Sequence, residues 1–404
     1  MMNLLFGGGE KLLRQAGDQG RLRRLNSLAV LESVRDEALT IPQIATRTGL
    51  SKTAADSVVT ALGESGWVTA VEPLTAGGAG RPAHRYRFNA AAAVVVGIDI
   101  GRHTSRAEIA DLSGEVLASG EVPTSREDSP ETLLGTVVAL VDGLLSERGL
   151  DRGSVWAGGA SLPAVVYHQT ITKGPEKWTG FDLRAGFEEH FRCAFATEND
   201  STLAAFAEAW KGSATEVRSL VYIHSGNRTG SGLVLDGSLF RGSSGAAGEI
   251  GALHILGWET AQEHLTDVLS DGGARLQREQ VFDAARAGDS RAKDAVEAFA
   301  TALAPGIAAL ILTVDPELVV VGGGNVRAGE TFLAPLRAQV EALCTVRPAP
   351  PLVASLLADR APLTGAVGLA TASVLERLHS IASSGGSMPS TATPPWEWEE
   401  VVSR

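Results

Sequence analysis

This 404-residue sequence has little of what covalent or metal-built sites need. Its two cysteines, Cys193 and Cys344, stand far apart. That excludes a disulfide framework or a thiolate-rich zinc site and suits a reducing cytoplasm, the expected location. No apolar run reaches the roughly 18 residues of a helical membrane span, so no membrane partner is expected. The opening stretch, MMNLLFGGGEKLLRQAGDQG, has no basic segment leading into an apolar one, so no secretory signal is expected. Positive charge is short too: 35 Lys and Arg stand against 47 Asp and Glu, net −12. Taken whole, that argues against a nucleic-acid partner. Residues 1–90, however, carry 11 basic and 8 acidic side chains, so the excess acid lies downstream of residue 90. Such asymmetry points to a nucleic-acid-binding end.

What is present fits a soluble globular protein of two or three domains, with 44% hydrophobic and 20% charged residues. Residues 1–20 are Gly-rich and without period, and read as a mobile arm. Residues 21–39 place Leu25, Leu28, Val30, Leu31 and Val34 at helical spacing. Thr40 then caps a short helix that opens on Ile41-Pro42 and ends near Thr48-Gly49. Ser51 caps a third helix running to about Glu64. Helix, short helix, glycine turn and helix form a helix-turn-helix. The following VTAVEPLTAGGAGRPAHRYRFN reads as a strand, a slim basic tip and a returning strand in which Tyr86 and Phe88 alternate: a two-stranded wing. Residues 21–90 are therefore expected to be a winged helix-turn-helix that binds double-stranded operator DNA. Its third helix offers Ser51, Lys52, Thr53, Ser57 and Thr60 as polar groups, with Val58, Val59 and Leu62 inward. Lys52 suits a phosphate, which positions without specifying. Arg81, His84 and Arg85 on the wing suit the narrow minor groove. Asp56 accepts from a cytosine amine, pairs with a neighbouring base, or faces solvent.

From residue 94 the pattern becomes α/β. Val94–Ile100 reads as a buried strand, Gly101 as a tight turn, and residues 105–112 as an alternating return strand. Asp99, where the strand meets the turn, serves a phosphate loop or accepts hydrogen bonds from its own turn. Helices are expected over 130–148, 183–191, 202–211, 259–269, 291–313, 329–343 and 365–379, and strands near 155–161, 194–197, 219–224, 230–235 and 318–321. Two glycine-punctuated strand sets imply two lobes over residues 91–380. The Ser/Thr/Pro/Gly-rich residues 381–404 read as a disordered tail.

Several motifs then fall in a specific order. Thr197-Glu198-Asn199-Asp200 opens a helix. Gly232-Leu233-Val234-Leu235-Asp236-Gly237 leads to Gly245-Ala246-Ala247-Gly248-Glu249-Ile250-Gly251. Asp315-Pro316-Glu317 precedes Val319-Val320-Val321-Gly322-Gly323-Gly324. In this order, over residues 21 to about 380, the chain resembles the ROK family of repressors, open-reading-frame proteins and sugar kinases. It most resembles the family's winged-helix regulators, whose wing tips also carry Gly-Arg-Pro. The resemblance implies a two-lobed actin- and hexokinase-like (ribonuclease-H-like) domain. It places Asp200 where the kinases keep their general base, and Asn199 and Glu249 where sugar hydroxyls are held. The plainer reading is that Asn199 and Asp200 cap the next helix.

The departures from the family pattern shape the functional expectation. Its phosphate hairpin, Asp-x-Gly-Gly-Thr, is here Asp99-Ile100-Gly101-Arg102-His103, and its Gly-Thr-Gly loop is Gly226-Asn227-Arg228. Side chains thus stand where backbone approaches phosphate. Ala252 replaces the zinc histidine, and the zinc loop is the cysteine-free GWETAQEHLTDVLS, where His254 and His264 read as ordinary polar residues. Thr266 and Gly174 replace two further sugar-contacting residues, the latter ahead of Trp178. No metal, no cofactor and no catalytic residue are expected, Asp200 being a vestigial base. The implied protein is a repressor of carbohydrate-related genes. Its effector is a sugar or derivative held by Asn199, Asp200 and Glu249, and it assembles as a homodimer or dimer of dimers reading two half-sites. Two alternatives stay open: an active carbohydrate kinase using Asp200, and a DNA-binding regulator with a vestigial pocket.

Overall fold

The structure, a computed structural model, describes residues 19–71, 84–125, 127–168, 170–270, 273–384 and 388–397. Residues 1–18 of the expected arm 1–20 and the wing tip, Arg81 included, lie outside the described residues, whereas Gln19 and Gly20 already belong to the first helix. The front module comprises α1 (Gln19–Ser33), β1 (Leu39–Thr40), α2 (Ile41–Thr48), α3 (Lys52–Glu64), β2 (Val68–Val71) and β3 (Arg85–Phe88). Both expected caps are present. Gln43 Oε1 accepts from the Thr40 amide at 2.9 Å, and Ser51 Oγ accepts from the Ala54 amide at 3.2 Å. The first helix stops at Ser33, well short of residue 39. Its next carbonyl, that of Val34, accepts from the Phe88 amide at 3.0 Å, which draws the chain away from the helix axis. Leu39 and Thr40 then pair with Tyr86 and Arg85. The wing is accordingly a three-stranded sheet, in the order β1-β3-β2, and not the two-stranded ribbon expected.

The remainder forms two lobes. The first holds β4 (Val94–Ile100), β5 (Thr104–Asp111), β6 (Val116–Pro123), α4 (Pro130–Glu147), β7 (Val155–Leu162), the hairpin β8 (Val165–Tyr167) and β9 (Thr170–Lys173), α5 (Leu183–Phe191), β10 (Ala194–Asn199) and α6 (Asp200–Lys211). The second holds β11 (Leu220–Ser225), β12 (Thr229–Leu235), β13 (Ser238–Leu239), α7 (Glu263–Thr266), α8 (Arg278–Ala287), α9 (Ser290–Val314), β14 (Leu318–Gly322), α10 (Glu330–Leu343) and β15 (Leu352–Ala354), before the closing helix α11 (Ala361–Ser384). The sheets run β6-β5-β4-β7-β10 and β13-β12-β11-β14-β15. Each joins an antiparallel meander to two parallel strands. One topology therefore occurs twice, as the resemblance implies.

Two helical expectations change. Residues 259–269 give only the four-residue α7, and α8 was not anticipated because its buried apolar set is just Val281, Phe282 and Ala285. Helix α9 is long and apolar enough to cross a bilayer, but Phe299, Leu303, Ile307 and Ile311 bury its apolar side in the second lobe.

The front module shares one core with the first lobe. Leu28, Ile44, Val59, Leu62 and Phe88 join Val95, Leu112 and Trp156, together with Val367, Val374 and Leu378 of α11. The tail from residue 381 is not disordered throughout. Residues 381–384 continue α11, and the described segment 388–397 returns to the front module. Buried indole N–H groups need an acceptor. Trp67, fully buried, donates Nε1–H to the Pro389 carbonyl at 2.7 Å, and the Thr391 amide donates to the Ser65 carbonyl at 2.9 Å. Trp67→Phe removes that donor and part of the ring. The expected cost is about 2 kcal/mol, read by chemical denaturation; an unchanged midpoint would show that the strap contributes nothing.

Candidate functional site

Helix α3 sorts its residues into a buried and an exposed side. Ala55, Val58, Val59 and Leu62 are buried, whereas Ser51, Lys52, Thr53, Asp56, Ser57 and Thr60 are exposed along one side. His84 is exposed at the start of β3. Arg85 is put to a different use from the one expected. Its Nε and Nη2 both donate to the Ala38 carbonyl, at 2.9 and 2.5 Å. The guanidinium thus fastens the edge of the wing to the turn before β1 rather than reaching toward a groove. The cause is register: pairing Arg85 with Thr40 brings the side chain over Ala38.

Between the lobes lies a polar cleft of about 480 Å³. Strand β10 ends at Asn199 and α6 begins at Asp200, so the family's acidic motif sits on the cleft floor. Asn199 is committed. Its Oδ1 accepts from the Ser201 and Thr202 amides at 3.0 and 3.1 Å, and its Nδ2 donates to the Ala164 carbonyl at 3.1 Å. Capping is therefore a real part of its role, and it shapes the floor. Asp200 Oδ1 accepts from the Ser201 amide at 2.6 Å and from the Ser201 hydroxyl at 3.1 Å. Glu249 follows Gly248, whose φ of 88° places the turn and whose carbonyl accepts from Ser231 Oγ at 2.6 Å. Burial pushes the Glu249 carboxyl above its usual range and the Asp200 charge adds to this, while Lys173 and Arg228 oppose it. Asp99, half-buried at the end of β4, is pushed up to about 6 by burial, with Asp200 adding and Arg106 opposing.

The two turns that the resemblance sets at the family's phosphate positions flank this floor. A Cβ on Gly101 would lie 2.3 Å from the Thr104 carbonyl oxygen, so the hairpin itself requires that glycine. Arg102 lines the cleft beside it. Across the cleft, Arg228 is exposed on the turn closed by the Gly226 amide and the Arg228 carbonyl at 3.1 Å. The His224 ring sits under this turn: Cβ atoms on Gly226 and Gly323 would come 2.8 Å from its Nε2 and 3.1 Å from its Cε1. Thr266 does not line the cleft. Glu259 and Gln262 do, from the segment anchored by Trp258, whose Nε1–H donates to the Leu303 carbonyl at 3.0 Å. Gly174 offers no side chain, but Lys173 beside it lines the cleft. Arg278 of α8 donates to Asn227 Oδ1 at 2.8 Å and braces the turn. His254 pairs with Glu259 Oε2 at 2.6 Å. Among the described residues no three His, Cys, Asp or Glu side chains gather as a metal site. Lys173, His224, Glu259, Gln262 and Arg278 were missed in the sequence. Only Lys173, adjacent to Gly174, carried a local signal.

The profile of the ROK family matches residues 95–373. The chain belongs to the ROK family. This ROK chain is 27% identical over 289 residues to a glucokinase of Halalkalibacterium halodurans, covering 62% of the chain and 86% of that protein. It is 23% identical over 353 residues to a xylose repressor of Caldicellulosiruptor bescii, covering 80% and 88%. Among solved structures, a ROK family transcriptional regulator described as a homologue of the E. coli MLC protein superposes with a TM-score of 0.71 at 19% identity, covering 90% of this chain and 99% of that one. A Streptomyces griseus ROK glucokinase, solved with glucose and AMPPNP, gives 0.57 at 24% identity, covering 69% and 99%. At such identities the superpositions show the fold. The two-lobed α/β domain is hexokinase-like, and the regulator's fold extends over a further part of the chain.

The Asp99 carboxyl makes a testable contribution. Its folded value near 6 lies above the 3.8 of an unperturbed Asp. The native state then holds a proton that the unfolded state has released, and this group's contribution to stability falls as pH rises between those values. Asp99→Asn removes the effect. Its melting temperature should match the parent below about pH 4, draw ahead towards pH 6, and keep a constant lead above that. Parallel curves across that window would show an ordinary, solvated carboxylate.

Proposed function

We propose that this ROK chain is a cytoplasmic DNA-binding transcription regulator, a repressor of carbohydrate-related genes. Its interlobe cleft senses a sugar or sugar derivative and does not phosphorylate it. The observation that carries the reading is the exposed polar face of α3, backed by a complete winged-helix core. The coverage of the regulator superposition, 90% of the chain against 69% for the glucokinase, supports it. Lys52 meets phosphate; Thr53, Ser57 and Thr60 face base edges; Ser51 caps the helix beside the backbone; His84 and Arg81 serve the wing. A two-fold dimer, or a dimer of dimers, presents two such helices to two half-sites.

Phosphoryl transfer is almost entirely positioned electrostatics around the phosphates. Arg102 and Arg228 stand on the two turns that would cradle a nucleotide, and the His224 ring fills the space under one of them. Asp200 alone does not restore that cradle. The effector is held instead by Asp200 and Glu249 over the Asn199-shaped floor. A ligand that binds one lobe arrangement better than another shifts their equilibrium and hence the spacing of the paired wings. The retention of Asp200 and the similarity to a glucokinase favour a second reading, an active sugar kinase with a regulatory front module.

Binding to the DNA upstream of its own gene, measured by fluorescence anisotropy across a salt series, tests the first reading. Retention at moderate salt is expected. Lys52→Ala should weaken binding about equally on all sequences and lower the salt slope by about one ion, whereas Thr60→Ala should alter sequence preference. Sugar-dependent ATP turnover that Asp200→Asn abolishes would establish the kinase instead.

A further inference from the structure

Away from the interlobe cleft, the first lobe carries a second cavity of about 340 Å³. It lies between the start of β7, the turn from α5 into β10, helix α11 and the returning tail. Among the described residues it shares no lining side chain with the cleft. Its wall is apolar. Trp156 and Ala157 come from β7, Cys193 and Ala194 from the turn into β10, Val374 from α11 and Pro395 from the tail. Burial pushes the Cys193 thiol up to about 12, so it stays protonated and adds to that wall. A concave apolar cavity of this size with a few polar groups at its edge is the usual form of a small-molecule site.

The charge on offer at the edge is positive. Glu188 is committed: its Oε1 accepts from the Phe195 amide at 3.1 Å and its Oε2 pairs with Arg184 at 2.5 Å. Arg192 and Arg377 bring two guanidinium groups. The Arg192 guanidinium is exposed and has no ion pair or hydrogen bond among the described residues. Arg192 ends α5 in the left-handed region, at φ 55°, where the backbone suits glycine and disfavours a larger residue. A cation thus stands at the cavity edge where local geometry alone calls for no side chain. The inner wall, for its part, is shared with the front module. The Trp156 ring packs edge-on against Trp67, with centroids 5.7 Å apart, and Val374 belongs to the same core as Ile44, Leu62 and Phe88.

We infer that this cavity binds a small organic acid, an apolar body of about phenylacetate size that carries one carboxylate. The body covers Trp156, Val374 and Pro395 and takes apolar surface out of water. The carboxylate pairs with Arg192, whose fork of donors matches two carboxylate oxygens. An inorganic anion would leave the apolar wall wet, and a neutral body would leave the guanidinium without its partner. The bound acid bridges α5, α11 and the tail, and it rests on the same tryptophan that supports Trp67. The site is thus separate from the sugar cleft, and it touches the front module's seat on the first lobe directly.

The test uses the full chain. Phenylacetate, indole-3-acetate and hexanoate are each paired with their neutral amide, beside acetate and sulfate. Melting temperature and intrinsic tryptophan fluorescence are read against ligand concentration, and Trp156 in the wall reports occupancy in the second. At least one acid should act at a concentration about fivefold or more below its amide, with acetate and sulfate inert over the same range. Arg192→Gly suits the left-handed backbone, so the fold is kept. It should bring that acid and its amide within about twofold of each other. Ala194→Phe, at an exposed position, and Ser373→Phe, on α11, each fill the cavity and should abolish the response to acid and amide alike. Either of them decides once its ligand-free melting shows it folded. The inference falls if no acid is preferred to its amide, or if acetate or sulfate acts as strongly. It falls equally if the preference survives Arg192→Gly, or if binding survives in a folded cavity-filling variant.

Discussion

The close approach of the closing helix α11 to the first sheet is the constraint on which the cleft depends. A Cβ on Gly97 of β4 would lie 2.5 Å from Val367 Cγ2 and 2.9 Å from the Val367 amide nitrogen; one on Gly159 of β7 would lie 2.2 Å from the Ala366 carbonyl oxygen. On the helix itself, a Cβ on Gly365 would lie 2.3 Å from the Leu203 carbonyl oxygen of α6. At these three points the chain has room for a hydrogen atom and nothing larger. The strand that carries Asp99 and the helix that begins at Asp200 are thereby clamped to one shared element. The two carboxyls influence each other because backbone contacts, not long side chains, set their spacing.

The same helix continues out of the lobes and into the front module. His379 pairs with Glu32 of α1 at 3.3 Å, and that hydrogen bond holds the Glu32 carboxyl below its usual range. Between the lobes, Asp359 accepts from Arg106 at 3.3 Å and from Arg327 at 2.8 Å, one guanidinium from each side. Helix α3 therefore does not hang on a linker. It is packed into the first lobe, and any rotation of the first lobe against the second carries it along. On the proposed reading, coupling needs no separate wire: a ligand that favours one lobe angle also favours one position of α3.

Much of this was legible because the relevant signals are local. Thr40 and Ser51 announced their helices, β4 and α5 have the expected bounds, and the Asn199-Asp200 and Gly248-Glu249 motifs both line the cleft. What escaped depends on partners distant in sequence. Periodicity tells which side of a strand is apolar but not which strand lies beside it, so the short β1 and its pairing with β3 were invisible. Composition marked residues 381–404 as too polar to fold, yet Pro389 and Thr391 are ordered by backbone contacts that composition does not encode. The cleft lining comes from strand ends and loops that meet only in the folded chain. Arg85 shows the opposite limit: a basic side chain at a wing reads as a DNA contact until the Ala38 carbonyl is seen to take it.

The tail that crosses back to Trp67 also bears on how the protein is made. Trp67 and Phe88 emerge from the ribosome early, but Val367, Leu378 and the Pro389 carbonyl, which pack against them, arrive only after both lobes are translated. The front segment of a nascent chain thus waits with an incomplete interior while both lobes are translated. A message cut short ahead of Pro389 yields a product whose front module lacks the acceptor for Trp67. The interior of the front module is in this way tied to residues that follow the second lobe.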